Sequence, residues 1–304
     1  MSINHPPYLK RGSLIGITCP SGYVSNERVA GAIDVLQDWG FRVKPGNTIG
    51  AGQFYFAGND EERLQDLQAM LDDPEIDAIL MGRGGYGMSR IIDKLDFTLF
   101  KQKPKWICGF SDIVVLHNHV HATLQIPTMH SPMCGAFTSE TENADHLKSF
   151  YAALTGAALQ YNTPASPFNR AGDASGILTG GNLAILAHLT GSVSEADTKG
   201  KILFIEDIGE HLYNIDRLML NLKRAGKLDS LNALIVGGFT QLEDTERPFG
   251  QTVEEIIWDK VKEYGYPVCF NVPAGHQDMN YTLCLGMQLK LTVTESGGYL
   301  ELLK

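Results

Sequence analysis

Residues 105–124, KWICGFSDIVVLHNHVHATL, predict a strand, a sharp turn and a helix in immediate succession. The apolar run before Gly109 is typical of a buried strand, and the residues after Ser111 suit a helix. Further apolar runs alternate with helical patterns along the first half of the chain, as the βαβ units of a parallel sheet require. The sequence therefore predicts an α/β fold. Its first-half candidate strands are residues 14–20, 41–45, 76–82, 105–110 and 126–132.

A second group of elements follows a change of composition at residues 155–175. That stretch is rich in Gly, Pro, Ser, Thr and Asn and shows no sustained apolar period. We therefore predict two domains, residues 1–165 and 166–304. The expected strands beyond the boundary are residues 201–208, 232–240 and 267–273, with a closing hairpin across Gly297 and Gly298, and the expected helices are 211–225 and 252–264. In the first domain, Asn59 and Glu62 form a capping-box pattern that starts a helix.

Composition restricts the class of function. The formal net charge of −10 argues against general nucleic-acid binding, which needs clustered Lys and Arg. The five cysteines are scattered without a C-x-x-C pair, as expected for reduced, buried thiols. No apolar run is long enough to span a bilayer, and the first residues lack the apolar core of a signal peptide. We expect a cytoplasmic protein that acts on a small molecule or peptide.

Ser111 is the first candidate for chemistry. Serine hydrolases expose the nucleophile on a tight strand-to-helix turn, where the amide of the next residue, here Asp112, can face a developing oxyanion. The local pattern GFSDI keeps the glycine two residues before the serine and lacks the one two residues after it. A simple helix cap by Ser111 or Asp112 remains an equally good reading of this stretch.

The glycine-rich stretch 82–87, GRGGYG, directly follows a predicted strand. Its backbone can approach a ligand closely and present free N–H groups, so Gly84 or Gly85 could supply a second oxyanion donor. The pattern fits neither G-x-G-x-x-G nor the P-loop. A plain turn between strand and helix is the alternative.

An acid and a histidine complete a possible set. Glu206 and Asp207 end a predicted strand, and alternation lets only one of them face a given site. His276 follows a later strand in a loop, where it could act as a general base. The order Ser111, Glu206, His276 permits a catalytic triad without proving one. The acids could instead cap a helix, and His276 could be an ordinary surface residue.

Three histidines at every second position raise the question of a metal site. On a helix, His117 and His121 share a face while His119 points elsewhere, so at most two could bind one metal ion. The H-E-x-x-H motif is absent. We expect core or interface histidines, with no metal and no cofactor.

Seven short blocks together resemble the LD-carboxypeptidase family, the serine peptidases that include murein tetrapeptide carboxypeptidases and microcin C self-immunity proteins. In chain order the blocks are CPSG at 19–22, YFAGNDEERLQDL at 55–67, RGGYG at 83–87, GFSD at 109–112, GGNL at 180–183, EDI at 206–208 and GH at 275–276. The resemblance implies a Rossmann-like N-terminal domain with a parallel sheet, a smaller α/β C-terminal domain, and an active site at their interface.

The same resemblance assigns roles to individual residues. It places the nucleophile at Ser111, the triad acid at Glu206 and the base at His276, with backbone amides of Asp112 and Gly85 as the oxyanion hole. Arg83, Gly84 and Tyr86 become candidate substrate-binding residues. Arg83 could hold the substrate carboxylate or form a structural salt bridge.

The implied reaction is release of the terminal D-alanine from murein tetrapeptides in peptidoglycan recycling. The resemblance also implies a homodimer, and the composition described above predicts a cytoplasmic protein that binds neither nucleic acid nor membrane. A microcin C-type peptidase that cleaves an aminoacyl or peptidyl nucleotide analogue is the alternative. The passage after Glu206 is short and offers Tyr213 as its aromatic residue, which favours the murein substrate.

Overall fold

The chain, seen in a computed structural model that describes residues 5–138, 141 and 144–303, forms two compact units. The first contains the residues up to Ala157 together with Tyr281–Leu283, and the second contains Ala158–Asn280 and the residues from Cys284 onward. The strands are β1 (Leu14–Thr18), β2 (Arg42–Pro45), β3 (Ile76–Met81), β4 (Trp106–Gly109), β5 (Thr128–His130), β6 (Gln160–Thr163), β7 (Gly172–Asn182), β8 (Ile202–Ile208), β9 (Ala233–Thr240), β10 (Val268–Cys269), β11 (Leu283–Leu285), β12 (Gln288–Thr294) and β13 (Gly297–Leu302). The α-helices are α1 (Asn26–Asp38), α2 (Asp60–Asp72), α3 (Thr98–Gln102), α4 (Val114–Leu124), α5 (Asp145–Thr155), α6 (Leu183–Leu189), α7 (Leu212–Arg224) and α8 (Val253–Val261).

The first unit is built on a six-stranded sheet in the order β11-β5-β4-β3-β1-β2. Strands β1 to β5 pair in parallel. The central strands β1 and β4 are buried along their whole length, which explains why they are continuous apolar runs rather than alternating ones. Because the strands are parallel, the segments that follow β1, β3 and β4 leave the sheet at one edge. These segments carry CPSG, the glycine-rich stretch and Ser111.

Local sequence accounts for where the helices begin. The Asn59 side chain accepts a hydrogen bond from the Glu62 backbone while the Glu62 carboxylate accepts one from the Asn59 N–H, so the predicted capping box of α2 is confirmed. Thr252 and Glu255 form the same arrangement at α8. Such caps satisfy backbone donors that the first helical turn leaves without partners.

The second unit contains a seven-stranded mixed sheet in the order β10-β9-β8-β7-β12-β13-β6. Strand β7 joins its two halves: its first residues pair antiparallel with β12, and its last five pair in parallel with β8. The closing hairpin of β12 and β13 is present as predicted. Its turn consists of Glu295 and Ser296, so the predicted turn across Gly297 and Gly298 is wrong by two residues, and both glycines lie in β13.

The α/β class and the parallel sheet of the first unit are confirmed. The sequence missed strands β6 and β7, which fall wholly or partly within the stretch predicted to be irregular. Both strands pair with partners near the end of the chain, so distant pairing rather than local propensity creates them. The chain first passes from one unit to the other between Ala157 and Ala158. The division of catalytic residues between two functional domains stays a prediction.

Candidate active site

Ser111 lies on a strained turn between β4 and α4. Its backbone φ is +65°, in the left-handed region that residues other than glycine rarely adopt. The chain makes one 3-10 turn, Ser111–Ile113, before α4 begins. Neither the turn nor α4 has a side-chain hydrogen bond at its N-cap, so the helix-cap interpretation of Ser111 and Asp112 is not supported. The turn instead has the strained form in which hydrolases present a nucleophile.

The glycine-rich stretch lies directly against this serine. A Cβ added to Gly84 would come within 2.7 Å of the Ser111 Cβ and 2.9 Å of its Oγ, so only glycine fits there. Gly85 and Gly87 have φ values of +106° and +147°. The first residue of this stretch is held in place by a hydrogen bond: the Gly82 N–H donates to the Thr18 carbonyl (2.8 Å). The structure thus brings together Ser111, Gly84 and Gly85, three residues that the sequence predicted for one site.

One backbone hydrogen bond fixes the orientation of the peptide unit between Gly84 and Gly85. The Gly22 N–H donates to the Gly84 carbonyl at 3.0 Å. In a trans peptide the carbonyl and the following N–H point in opposite directions, and the described chain contains no cis bond. The Gly85 N–H therefore points away from Gly22. This places a fixed donor on the loop that covers Ser111.

The side chain of Asp112 is a buried acceptor next to Ser111. It is 2% exposed, and its Oδ2 accepts from the Ser21 hydroxyl (2.6 Å) and from the Met88 N–H (2.8 Å). The guanidinium of Arg63, also fully buried, donates to the carbonyls of Pro20 and Gly87. The sequence did not predict these roles for the Asp112 and Arg63 side chains. Both residues lie in blocks that resemble the family, but nothing in those blocks indicates that the two charged side chains are buried.

Two predicted substrate-binding side chains, those of Arg83 and Tyr86, belong to the glycine-rich stretch itself. Arg83 is exposed, and its guanidinium donates to the Tyr23 carbonyl (2.8 Å), a backbone contact rather than the predicted alternative of a salt bridge. Tyr86 is 48% exposed, with its ring centroid 6.0 Å from that of Phe56. Both remain reachable by a ligand.

In the second unit, Glu206 and His276 form a closely hydrogen-bonded pair. The His276 Nδ1 lies 2.6 Å from the Glu206 Oε2, and the His276 backbone N–H donates to the same oxygen at 3.0 Å. Glu206 is fully buried, whereas the His276 side chain is 13% exposed. A carboxylate at Nδ1 favours the tautomer with the proton on Nδ1, which leaves the Nε2 lone pair able to accept a proton.

The chain around His276 is shaped for this contact. Gly275 has a φ of +100°, and a Cβ there would lie 2.6 Å from the Glu206 Cβ. The Gly275 N–H donates to the Asn280 side-chain oxygen (2.8 Å), and the Thr240 hydroxyl donates to the His276 carbonyl (2.6 Å). Backbone and side chain of His276 are therefore both held in place.

Asp207 points the other way, as strand alternation predicts. Its carboxylate accepts from the Asn182 side chain (2.8 Å) and from the Ala184 N–H (2.9 Å) at the start of α6. Burial raises the pKa of Asp207 to about 6, against the effect of these donors. Asp207 therefore joins β8 to α6, and Glu206 is the acid that faces His276.

Comparisons with known proteins agree along the whole chain. Residues 15–131 match the model of the LD-carboxypeptidase N-terminal domain, and residues 175–291 match that of the C-terminal domain. A probable murein peptide carboxypeptidase of Bacillus subtilis is 32% identical, over 99% of this chain and 95% of its own length. The chain belongs to the LD-carboxypeptidase family.

Solved structures of this family have the same fold. The muramoyltetrapeptide carboxypeptidase of Oxalobacter formigenes superimposes with a TM-score of 0.87 at 29% identity, covering 96% of this chain and 99% of its own. A microcin C7 self-immunity protein, in complex with aspartyl sulfamoyl adenosine, has a TM-score of 0.86 at 23% identity, covering 98% of each chain. The second likeness concerns the fold alone.

The histidines of α4 serve this LD-carboxypeptidase as structural groups. His117 is fully buried, its Nε2 lies 2.9 Å from the Gly109 carbonyl, and burial lowers its pKa to about 3. His121 contacts the Thr128 hydroxyl (3.1 Å), and His119 stacks on Phe97. Among the residues that the structure describes, no cluster of His, Cys, Asp and Glu could hold a metal ion.

Two remaining features concern the chain as a whole. All five cysteines are buried and unbridged, as predicted. Within residues 5–138, 141 and 144–303, no helix is both long and apolar enough to cross a membrane.

Proposed function

We propose that this chain is a serine-type LD-carboxypeptidase that releases the terminal D-alanine from murein tetrapeptides. One observation carries the serine mechanism: Ser111 stands on a strained turn against Gly84, in a family member that also holds a Glu206–His276 pair. The murein substrate is supported by the names of the Bacillus subtilis and Oxalobacter formigenes relatives.

In the proposed mechanism, His276 takes the hydroxyl proton of Ser111 through Nε2 as the oxygen attacks the scissile carbonyl. Glu206 keeps Nδ1 protonated and stabilises the imidazolium that forms. The amides of Asp112 and Gly85 stabilise the oxyanion. His276 then protonates the departing amine of D-alanine, and water hydrolyses the acyl-enzyme by the same steps.

Substrate recognition is proposed for residues of the glycine-rich stretch. The exposed guanidinium of Arg83 suits the free carboxylate of the leaving D-alanine, and its bond to the Tyr23 carbonyl leaves further N–H donors on the fork. Gly84 and the exposed ring of Tyr86 would contact the peptide beside it.

The short passage after Glu206 favours a murein peptide over a nucleotide-linked one. Only Gly209, Glu210 and His211 separate β8 from α7. The ring of Tyr213 is 40% exposed and stacks on His211, with centroids 5.3 Å apart. The short segment leaves little chain from which to build a separate nucleobase site.

The test is release of D-alanine from L-Ala-γ-D-Glu-meso-diaminopimelate-D-Ala by the purified chain, compared with cleavage of aspartyl sulfamoyl adenosine. We expect turnover of the tetrapeptide and its loss in Ser111→Ala, with binding of the peptide retained. Activity on the adenosine compound alone would contradict the proposed substrate. Undiminished activity of Ser111→Ala would contradict the serine mechanism.

The working form is proposed to be a cytoplasmic homodimer, on the family resemblance. Light scattering after size exclusion measures the mass directly. A single species of about 33 kDa at working concentration, the mass of one chain, would contradict the dimer.

A further inference from the structure

The carboxylate of Asp112 lies beside the nucleophile, yet the proposed mechanism uses only the backbone amide of this residue. A buried carboxylate is costly unless hydrogen bonds satisfy it, and it then holds its donors firmly. The donors to its Oδ2 come from two different segments: the Ser21 hydroxyl follows β1, and the Met88 N–H closes the glycine-rich loop. One oxygen thus joins three segments of the first unit.

The hydrogen bond from the Ser21 hydroxyl to Asp112 helps to fix the orientation of the Gly85 amide. Ser21 precedes Gly22, whose N–H holds the Gly84 carbonyl. Because that carbonyl sets the direction of the following N–H, the position of residues 21 and 22 determines where the Gly85 N–H points. Movement of Ser21 away from Asp112 would release that peptide unit.

The second bond fixes the far end of the same loop. The Met88 N–H, one residue beyond Gly87, donates to Asp112 at 2.8 Å, while Arg63 donates to the Gly87 carbonyl at 3.1 Å. Gly82 is held at the near end by Thr18. With φ values of +106° at Gly85 and +147° at Gly87, a glycine loop has wide conformational freedom unless its ends are tied.

We propose that the Asp112 side chain is the positioning residue of the oxyanion hole, an inference that rests on the proposed function. Its backbone supplies one donor directly, and its carboxylate sets the direction of the other donor through Ser21 and Met88. The positions of both donors thus depend on one residue, Asp112, which lies on the turn that carries Ser111. A preorganised donor stabilises the oxyanion because no reorganisation is needed when charge develops.

The test compares Asp112→Ala, Asp112→Asn and Ser21→Ala in the full chain. We expect Asp112→Ala to lower kcat by about 10²–10³-fold, the usual cost of one lost oxyanion donor, with KM within about threefold. Asp112→Asn keeps an oxygen that can accept both hydrogen bonds. Ser21→Ala removes the hydrogen bond from the Ser21 hydroxyl and leaves the one from the Met88 N–H. Both should therefore lose about tenfold in kcat.

A binding measurement separates positioning from a merely structural role. A boronic acid analogue of the scissile amide forms a tetrahedral adduct with serine, whereas a tripeptide whose new terminal carboxylate has been reduced to an alcohol carries no negative charge at that position. Asp112→Ala should weaken the Kd of the boronic acid by about the same factor as kcat and leave the Kd of the tripeptide within about threefold. Equal weakening of both ligands would overturn the proposal.

Asp77→Asn is the matched control. Asp77 accepts from the Leu14 N–H (3.0 Å) at the amino end of β3, about 17 Å of strand away from Gly82. We expect this variant to change the melting temperature without changing kcat. If Asp112→Ala does not fold, the milder Asp112→Asn and Ser21→Ala decide the question, and unchanged kcat in both rejects the proposal. Loss of activity in Ser111→Ala combined with full activity in Asp112→Ala would reject this inference while leaving the proposed function intact.

Discussion

At the scale of single residues, β8 shows how adjacent carboxylates acquire different roles. Glu206 is fully buried against His276, and Asp207 is buried on the opposite face against Asn182. Successive side chains on a strand point to opposite faces, so the two acids differ in partner although they share a backbone. Glu206 orients the proposed base His276, whereas Asp207 accepts a hydrogen bond from the first turn of α6.

Replacing Glu206 tests the first role. Glu206→Gln keeps the size of the side chain but removes the charge that, in the proposed mechanism, stabilises the imidazolium, so kcat should fall by about 10³-fold or more. Asp207→Asn, the neighbouring change, should keep kcat within about threefold. Steady-state release of D-alanine measures both. Similar activity in wild type and Glu206→Gln would show that His276 does not need this acid.

Asp207 also predicts a pH dependence of stability. Its pKa is raised to about 6 in the folded chain, against an ordinary value of 3.8, so between these values the folded state binds more protons than the unfolded state. This contribution to the free energy of unfolding is present below pH 4 and is lost as the pH rises towards 6. Wild type should therefore lose stability relative to Asp207→Asn between pH 4.5 and 7 in urea unfolding. A difference in the free energy of unfolding between the two proteins that stays constant over this pH range would exclude a raised pKa for Asp207.

At the scale of elements, the junction of β3, β4 and α4 depends on close backbone approach. Gly84→Ala would place a methyl group 2.7 Å from the Ser111 Cβ, so the loop or the serine must move. A displacement of about 1 Å at a reacting group can lower turnover by about 10²-fold, and we expect a loss of that size. Gly265→Ala, where an added Cβ meets no atom within 4 Å, is the control. Equal kcat in the two variants would contradict the close contact.

The same junction shows how far sequence reasoning reaches. Apolar runs and glycines predicted the strands and the loop, because burial and turn geometry leave local patterns. The bonds of Asp112 to Ser21 and Met88 could not be predicted, since they join residues 91 and 24 positions apart. Likewise β6 and β7 exist through distant pairing. Glu206 and His276 were candidates because each lies at or just after the end of a predicted strand. The choice of Glu206 over Asp207, and of a catalytic over an ordinary surface histidine, came only with the other blocks, because neither residue has a local signature that decides it.

At the scale of the whole molecule, the first sheet is completed by a strand from late in the chain. Strand β11 lies at its edge next to β5, and Tyr281–Leu283 belong to the first unit. The Thr282 N–H also donates to the Ser149 hydroxyl (3.0 Å). The first unit is therefore not a continuous stretch of sequence.

A fragment that ends at Ala157 should consequently fold poorly. It would expose the edge of β5, and unpaired edges promote association between chains. We expect aggregation or a markedly lower melting temperature, measured by light scattering and circular dichroism. Addition of a peptide covering residues 281–287 should partly restore solubility. A monomeric fragment as stable as the intact chain would show that β11 contributes little.

The five buried cysteines provide built-in reporters of local opening. Burial raises the pKa of the Cys19 and Cys284 thiols to about 12, so alkylation requires transient exposure of the thiolate. Cys19, Cys108 and Cys134 precede Ala157, whereas Cys269 and Cys284 follow it. Mass spectrometry of alkylated peptides over time would therefore give separate opening rates for different parts of the fold without any introduced label.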